Sequence, residues 1–141
     1  MGVVIQDHNG FIIASLTQQI SQALQPLKLE AIAVARALEF GHETSITEVV
    51  LKGDSTPIVE PLKAGGKTIA SVEPLIQDAI AFSSFYAELL YSHCRRDDNK
   101  LAYSLARYSI NVSVYVVWME EVRNPLLYVV QRDLANLATQ I

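Results

Sequence analysis

The feature that most constrains this chain is a short apolar run that ends in a carboxylate, Val49-Val50-Leu51-Lys52-Gly53-Asp54-Ser55. Its β-branched and apolar side chains suit the interior of a sheet, so the run predicts a buried strand. Gly53 permits close approach of a neighbour, and Pro57 favours the first turn of a following helix. Asp54 is therefore expected at the carboxyl end of a strand, where open α/β sheets usually place their sites. The alternative is that Asp54 only shapes a turn or caps the helix.

The first part of the chain predicts a hairpin and then a helix. Gly2 to Asp7 and Phe11 to Leu16 predict two strands joined at His8-Asn9-Gly10, because Asn-Gly tolerates positive φ. The polar stretch from Thr17 to Gln25 predicts a loop. Apolar residues at helical spacing then predict a helix that starts at Pro26 and ends at Gly41.

The rest of the chain, after Asp54, is predicted to contain further helices and strands. The patterns predict a helix over Thr56 to Leu62 that is stopped by Gly65-Gly66, and then a helix from Ser71 to Phe82. They predict next a strand over Ala87 to Cys94, a charged loop over Arg95 to Asn99 and a helix from Leu101 to Ile110. Val112 to Trp118 has β-branched composition, so a strand competes there with a continued helix. Glu120 to Pro125 predicts a link and Leu126 to Ala138 a closing helix. The interpretation is one mixed α/β domain over residues 1–141.

Composition narrows the class of protein. Half of the 141 residues are hydrophobic and 18% are charged, yet no apolar run reaches the roughly 18 residues that span a bilayer. The start carries no basic and apolar signal sequence. A single cysteine, Cys94, excludes an internal disulfide and suits a reducing compartment, so we expect an intracellular protein without a membrane partner. The net charge of −4 argues against tight non-specific nucleic-acid binding, although a local basic patch stays open.

Several polar residues are expected to converge where the predicted strands end. They are Glu30, Asp54, His93, Arg95, Arg96 and Asn99. Carboxylates gathered at such an edge would bind Mg²⁺ or Mn²⁺, because hard cations take oxygen ligands. Paired ions of this kind clamp the attacking and leaving oxygens in phosphodiester hydrolysis. For Glu30, the alternative is an ordinary solvated glutamate on a helix surface.

Four stretches in this order resemble the ribonuclease H-like domain of plant proteins related to retrotransposon reverse transcriptases. They are the hairpin Gly2-Val3-Val4-Ile5-Gln6-Asp7-His8-Asn9-Gly10, the helix start Leu29-Glu30-Ala31 with Ala33 and Ala37, the strand end Leu51-Lys52-Gly53-Asp54-Ser55, and His93-Cys94-Arg95-Arg96-Asp97-Asp98-Asn99 with Ala102, Leu105 and Ala106. The late Trp118 and the pair Asp133-Leu134 also fit the plant version. The resemblance implies a ribonuclease H-like mixed sheet with flanking helices.

The resemblance also implies site residues and a substrate. Glu30 and Asp54 match the second and third of four carboxylates that bind Mg²⁺ or Mn²⁺ and act in catalysis. His93 matches a loop histidine that assists proton transfer or product release. The remaining loop residues, Arg95, Arg96 and Asn99, are then candidates for contact with nucleic acid. The implied substrate is the RNA strand of an RNA–DNA hybrid.

Two departures from the family pattern predict a degenerate active site. The first carboxylate belongs to a strand expected before Gly2, so the first and central strand of the sheet is missing here. The fourth carboxylate is replaced by Tyr103, which cannot ligate Mg²⁺ as an aspartate does. Two carboxylates instead of four would hold metal poorly. We therefore expect weak nucleic-acid binding rather than efficient cleavage.

Two further explanations of the chain stay open. It could be a non-enzymatic α/β interaction module that works through its apolar surface, or a fragment of a longer active ribonuclease H-like protein. The missing strand would lie between the hairpin and the strand ending at Asp54. The hairpin could pair directly with that strand, the stretch from Val112 to Trp118 could be recruited, or a second copy could supply a strand. The last alternative predicts a homodimer.

Overall fold

The computed structural model describes residues 1–9, 11–20, 24–65, 72–112 and 114–119. Its elements are β1 (Gly2–Gln6), β2 (Ile12–Gln18), α1 (Pro26–Glu43), β3 (Glu48–Gly53), α2 (Thr56–Ala64), α3 (Glu73–Ser83), β4 (Glu88–His93), a 3-10 helix (Arg96–Asn99), α4 (Lys100–Tyr108), a second 3-10 helix (Ser109–Asn111) and β5 (Tyr115–Met119). The chain divides into two compact units. The first comprises Met1–Ile20 with Lys100–Ile141, and the second comprises Ser21–Asn99.

The first unit contains the predicted hairpin. β1 and β2 are antiparallel, with pairs running from Gly2↔Thr17 to Gln6↔Ile12, which confirms the hairpin prediction. The turn is held by the Asp7 side chain, whose Oδ1 accepts hydrogen bonds from the backbone N–H groups of Asn9 (2.8 Å) and Phe11 (2.9 Å). A short side chain that satisfies nearby backbone donors stabilises such a turn.

The predicted loop from Thr17 to Gln25 is wrong at its start, because β2 continues to Gln18. Thr17 is polar but fully buried, and its hydroxyl donates a hydrogen bond of 2.5 Å to the carbonyl oxygen of Leu105 in α4. A buried hydroxyl with a partner can stay in a strand. Gly2 lets α4 approach the sheet, since an added Cβ would collide with the Ala102 carbonyl and with Leu105.

The ambiguous stretch from Val112 to Trp118 is resolved in favour of a strand. β5 pairs with β2 in antiparallel register, from Ala14↔Met119 to Gln18↔Tyr115, so the sheet has the order β1-β2-β5. This is one of the three arrangements considered for the sheet. Direct pairing of the hairpin with the strand before Asp54 is not found in the described residues, where β1 pairs only with β2 and β3 only with β4. The strand from a second copy stays a prediction.

The second unit packs three helices on one face of a two-stranded parallel sheet. β3 and β4 align from Glu48↔Glu88 to Gly53↔His93. The side chains of Leu51, Leu89 and Tyr91 on one sheet face pack against a cluster of buried residues: Ala31, Leu38, Ile58, Leu62, Val72, Ile76 and Ala79. This burial fixes which face of β3 and β4 is covered, because successive side chains in a strand alternate between faces.

The helix boundaries show one error in prediction and one confirmation. Gly41 does not end α1, which continues to Glu43. Its missing side chain instead makes room for the hydroxyl of Tyr86, and this hydroxyl donates a hydrogen bond to the Leu38 carbonyl oxygen. Gly65, in contrast, ends α2 in the left-handed conformation at φ 65°, as a glycine after a helix should.

Two parts of the sequence interpretation lie outside the described residues. They are the link over Glu120 to Pro125 and the helix over Leu126 to Ala138. Among the helices of the described ranges, none combines the length and the apolar character required to cross a membrane.

Candidate nucleic-acid site at the ends of the parallel strands

The parallel register places the ends of β3 and β4 side by side. Gly53 is the register partner of His93, and the backbone N–H of Cys94 donates to the Gly53 carbonyl oxygen at 2.9 Å. Asp54 follows Gly53 directly, so it lies next to the end of β4. The imidazole Nε2 of His93 is 3.3 Å from the Asp54 carbonyl oxygen. The structure thus brings together two of the predicted residues, Asp54 and His93.

Asp54 is held in place by the start of α2. Ser55 is the N-cap residue of this helix, and its carbonyl oxygen accepts hydrogen bonds from Ile58 (3.1 Å) and Val59 (2.9 Å). A Cβ added at Gly53 would lie 3.1 Å from the Val59 side chain, a tight contact that this side chain would have to relax to accept. Asp54 is thus the residue between the end of β3 and the capped start of α2.

Arg96 supplies a positive charge beside Asp54. Its Nε is 3.5 Å from Asp54 Oδ2, and it begins the 3-10 helix that follows β4. The side chain of Arg96 is 74% exposed, whereas that of Asp54 is 19% exposed. Such a long and solvated ion pair contributes less than about 1 kcal/mol to stability. Its importance is that a cation lies against one of the two predicted metal ligands.

Glu30 completes the cluster from α1, where it is half-buried. Burial raises the pKa of the Glu30 carboxyl, and the negative charge of Asp54 raises it further, while Arg96 lowers it. Glu30 and Asp54 are called the Glu30–Asp54 pair below, and Asp54 is one of the charges that shift the pKa of Glu30. Glu30 is half-buried rather than fully solvated, and its role in a site stays a prediction. The pair with Arg96 has a net charge of −1 when both carboxyls are ionised.

The donor set does not fit two divalent ions. Within the described residues, no group of three or more histidine, cysteine, aspartate or glutamate side chains is arranged to hold a metal. The Glu30–Asp54 pair offers two negative charges, and the Arg96 guanidinium already offsets part of the charge on Asp54. Two divalent ions would carry four positive charges, so most of their charge would stay uncompensated.

Arg95, the other predicted arginine, has a different environment from Arg96. Arg95 lines an open depression of about 530 Å³ together with Lys52, Ser92, His93, Cys94 and Asp98. Burial raises the pKa of the Cys94 thiol, the carboxylates of Asp54 and Asp98 raise it further, and the Lys52 ammonium lowers it. His93 lines this depression and also contacts Asp54. Asn99, half-buried, ends the 3-10 helix that Arg96 begins.

Sequence reasoning assigned no role here to Lys52, Ser92 or Asp98, although it placed Asp98 in the charged loop of this region. Lys52 and Ser92 are register partners, so they lie side by side on the sheet. The pattern of alternation along β3 could have placed Lys52 on the face opposite Leu51. The pairing with Ser92 depends on a register between strands about 40 residues apart, which the local sequence does not specify. Tyr103, which the resemblance matches to the fourth carboxylate, lies in α4 and is exposed, and this match stays a prediction.

Comparison with known proteins identifies the family. A family model described as reverse transcriptase-like matches residues 1–109, which is well over half of the 141-residue chain. The chain belongs to the reverse transcriptase-like family. The crystal structure of RNase H1 from the halophilic archaeon Halobacterium salinarum NRC-1 is similar to this reverse transcriptase-like domain, with a TM-score of 0.70 and 21% identity over 77% of this chain and 82% of that chain. A search of curated proteins found no match.

At this level of identity the likeness shows the fold. The mixed α/β ribonuclease H-like fold class is therefore confirmed, as is the ribonuclease H-like part of the resemblance. The plant origin and the missing first strand stay predictions. The roles of Glu30, Asp54 and His93 in catalysis, and those of Arg95, Arg96 and Asn99 in binding, also stay predictions.

Proposed function

We propose that this reverse transcriptase-like domain binds nucleic acid, and RNA–DNA hybrid in particular, at the ends of β3 and β4 without cleaving it efficiently. The observation that carries the proposal is the composition of the site: the Glu30–Asp54 pair accompanied by Arg96 as its cation. The site keeps part of a hydrolytic ligand set and adds hydrogen-bond donors of the kind that contact phosphates.

The binding part of the proposal rests on the loop after β4. Arg95 and Arg96 are both exposed, and an arginine fork can donate two parallel hydrogen bonds to phosphate oxygens. His93 stands at the end of β4 with an exposed ring that can also donate. A chain with a net charge of −4 needs such a local positive patch to approach a polyanion. We therefore expect weak and salt-dependent binding.

The catalytic part rests on the missing ligands. Mg²⁺ or Mn²⁺ in a complete family site would activate the attacking water and stabilise the leaving oxygen. Here the resemblance matches Glu30 and Asp54 to two of the four carboxylate positions and Tyr103 to the fourth. Such a set would hold one ion weakly, in the millimolar range. We propose that hydrolysis is lost with it.

A titration at low salt tests the binding part. Fluorescence anisotropy of a labelled RNA–DNA hybrid is followed as protein is added at about 50 mM and then about 200 mM salt, since phosphate contacts weaken with salt. Saturable binding that weakens at the higher concentration is expected, with a DNA duplex of the same sequence as the comparison. If neither duplex is bound at about 100 μM protein and 50 mM salt, the proposal is wrong.

A second candidate function, an interaction module without a nucleic-acid role, is favoured by one observation. Val50 and Leu90 are register partners on β3 and β4, and they are 47% and 54% exposed on the sheet face opposite the helices. An apolar pair on an open sheet face is typical of a contact surface. This function predicts association that Leu90→Thr weakens and that salt leaves unchanged.

The homodimer is the simplest form of that association, and sedimentation tests it. Only a 15.6 kDa species at micromolar concentration would contradict the homodimer. The third explanation, a fragment of a longer active protein, is tested by examining the coding region upstream of Met1. A strand ending in aspartate there would support it.

A further inference from the structure

The depression beside the ends of β3 and β4 is lined mainly by polar and charged side chains, and the proposed function assigns no role to the depression itself. It lies on the side of the sheet where Lys52 and Ser92 project. The neighbouring residues Leu51 and Tyr91 project to the opposite side and pack against the helices. Because side chains alternate along a strand, Lys52 and Ser92 face away from that core. The depression is therefore built on the open face of the two-stranded sheet.

The charges in the depression favour an anion. Lys52 and Arg95 contribute two positive charges and are exposed, and Asp98 contributes one negative charge. Lys52 and Arg95 both line the depression, together with Ser92 and Asp98. Among the described residues, the Ser92 hydroxyl makes one contact, of 3.5 Å, to the His93 carbonyl oxygen. It can therefore turn to donate a hydrogen bond to a ligand.

The volume and the position of the depression indicate that the anion belongs to a larger molecule. A volume of about 530 Å³ falls within the range of small-molecule sites and exceeds what a lone inorganic anion fills. The depression opens to solvent at a strand end and shares His93 with the site that contains Asp54. A strand of nucleic acid that passes the end of β4 would place successive phosphates near both. A phosphodiester presents two unesterified oxygens that accept from ammonium, guanidinium and hydroxyl groups.

We infer that Lys52, Ser92 and Arg95 form a phosphodiester-binding subsite on the open face of the β3–β4 sheet, which holds the backbone of a nucleic-acid strand bound at the Asp54 edge. This inference rests on the proposed function and extends its footprint. Asp98 opposes binding at this subsite, so the affinity is modest and is adjusted by one acidic residue. The subsite reads no bases, because phosphate contacts position a strand without specifying its sequence.

The test is a charge series on hybrid binding. Lys52→Gln and Arg95→Gln are each expected to weaken binding of the labelled hybrid about three- to tenfold at about 50 mM salt, and to lower the salt slope by about 1. Lys63→Gln is the matched control, since it removes the same charge from α2, where Lys63 pairs with Glu60 at 3.7 Å outside the depression. The control is expected to change the affinity less than twofold.

Removing a negative charge from the depression should have the opposite effect on hybrid affinity. Asp98→Asn is expected to strengthen hybrid binding about twofold or more. Asp97→Asn is its control, because Asp97 is the preceding residue of the same 3-10 helix and does not line the depression. The side chains changed in these variants are exposed, so the thermal unfolding midpoint is expected to be the same in every variant. Apart from Lys63, they are Lys52, Arg95, Asp97 and Asp98.

The outcomes separate this inference from the function on which it rests. If the wild-type chain binds hybrid but Lys52→Gln and Lys63→Gln weaken it equally, the subsite does not exist, although the proposed function stands. The same conclusion follows if Asp98→Asn and Asp97→Asn have equal effects. If the wild-type chain shows no saturable binding at all, the proposed function and the subsite are both wrong.

Discussion

Removing Arg96 tests how the two carboxylates are compensated. The guanidinium lies 3.5 Å from Asp54 Oδ2, and its charge also lowers the pKa of Glu30 against the effects of burial and of Asp54. A divalent cation that binds the Glu30–Asp54 pair must share the carboxylates with this guanidinium. We therefore predict that Arg96→Gln raises the affinity of the domain for Mn²⁺.

The structure limits the size of this effect. Two unit charges separated by 3.5 Å interact by about 1.2 kcal/mol in bulk water. Arg96 is 74% exposed, so solvent and salt screen the pair, and exposed ion pairs are typically worth about 0.2–1 kcal/mol. Release of Asp54 from this pair is then expected to raise the metal affinity by between about 1.4-fold and about fivefold.

The assay is a Mn²⁺ titration followed by the paramagnetic signal of the free ion. Arg95→Gln is the matched control, because it removes the same charge from the adjacent residue, which lines the depression and forms no ion pair with Asp54. Equal gains in the two variants, or no gain in Arg96→Gln, would refute the idea that Arg96 is the counter-charge. Sub-micromolar affinity of the wild-type chain for Mg²⁺ would contradict the depleted site as a whole.

Three further predictions concern single side chains. Thr17→Val should lower the unfolding free energy by about 0.5–1.5 kcal/mol in denaturant titrations, because it removes the bond to Leu105, whereas Ser15→Ala should cost nothing, since that buried hydroxyl has no partner among the described residues. Because the pKa of Glu30 is raised in the folded state, its ionised carboxylate destabilises the domain above the usual titration range of glutamate. Glu30→Gln should therefore raise the unfolding free energy at about pH 7.5 and lose this gain near pH 3.5. A gain in stability that grows on acidification would contradict the raised pKa. Tyr103→Asp alone should not produce hybrid cleavage in a gel assay with Mg²⁺, and turnover in that variant would contradict the proposed loss of hydrolysis.

The strand ending at Asp54 could be predicted because its signals are local. All of them lie within the nine residues from Val49 to Pro57. The β-branched run indicates a strand and the glycine permits close approach of a neighbour. The aspartate then marks the sheet edge, and the proline indicates the first turn of a helix. The structure confirms this order, with β3 ending at Gly53 and α2 beginning at Thr56. The prediction that this strand is buried is wrong, because only one face of β3 is covered and Val50 on the other face is 47% exposed. The placement of Asp54 beside His93 followed from the general rule that parallel strands end at one edge.

The errors and omissions arose where distant residues decide the structure. Gly41 has the local signature of a helix end, but a tyrosine 45 residues further along the chain occupies the space beside it, and the helix continues. Arg95 and Arg96 are adjacent and chemically identical, yet the 3-10 helix that begins at Arg96 directs one to Asp54 and leaves the other at the depression. Thr17 looks like the start of a loop until its bond to Leu105 is known.

Cleavage of an RNA–DNA hybrid is the measurement that most directly tests whether this domain binds without cutting. Excess protein is incubated with end-labelled hybrid and about 10 mM Mg²⁺, at a concentration at which the binding titration shows saturation. We predict no product above the level without protein. Robust cleavage that disappears in Asp54→Asn would show that two of the four carboxylate positions suffice, and would contradict a depleted active site.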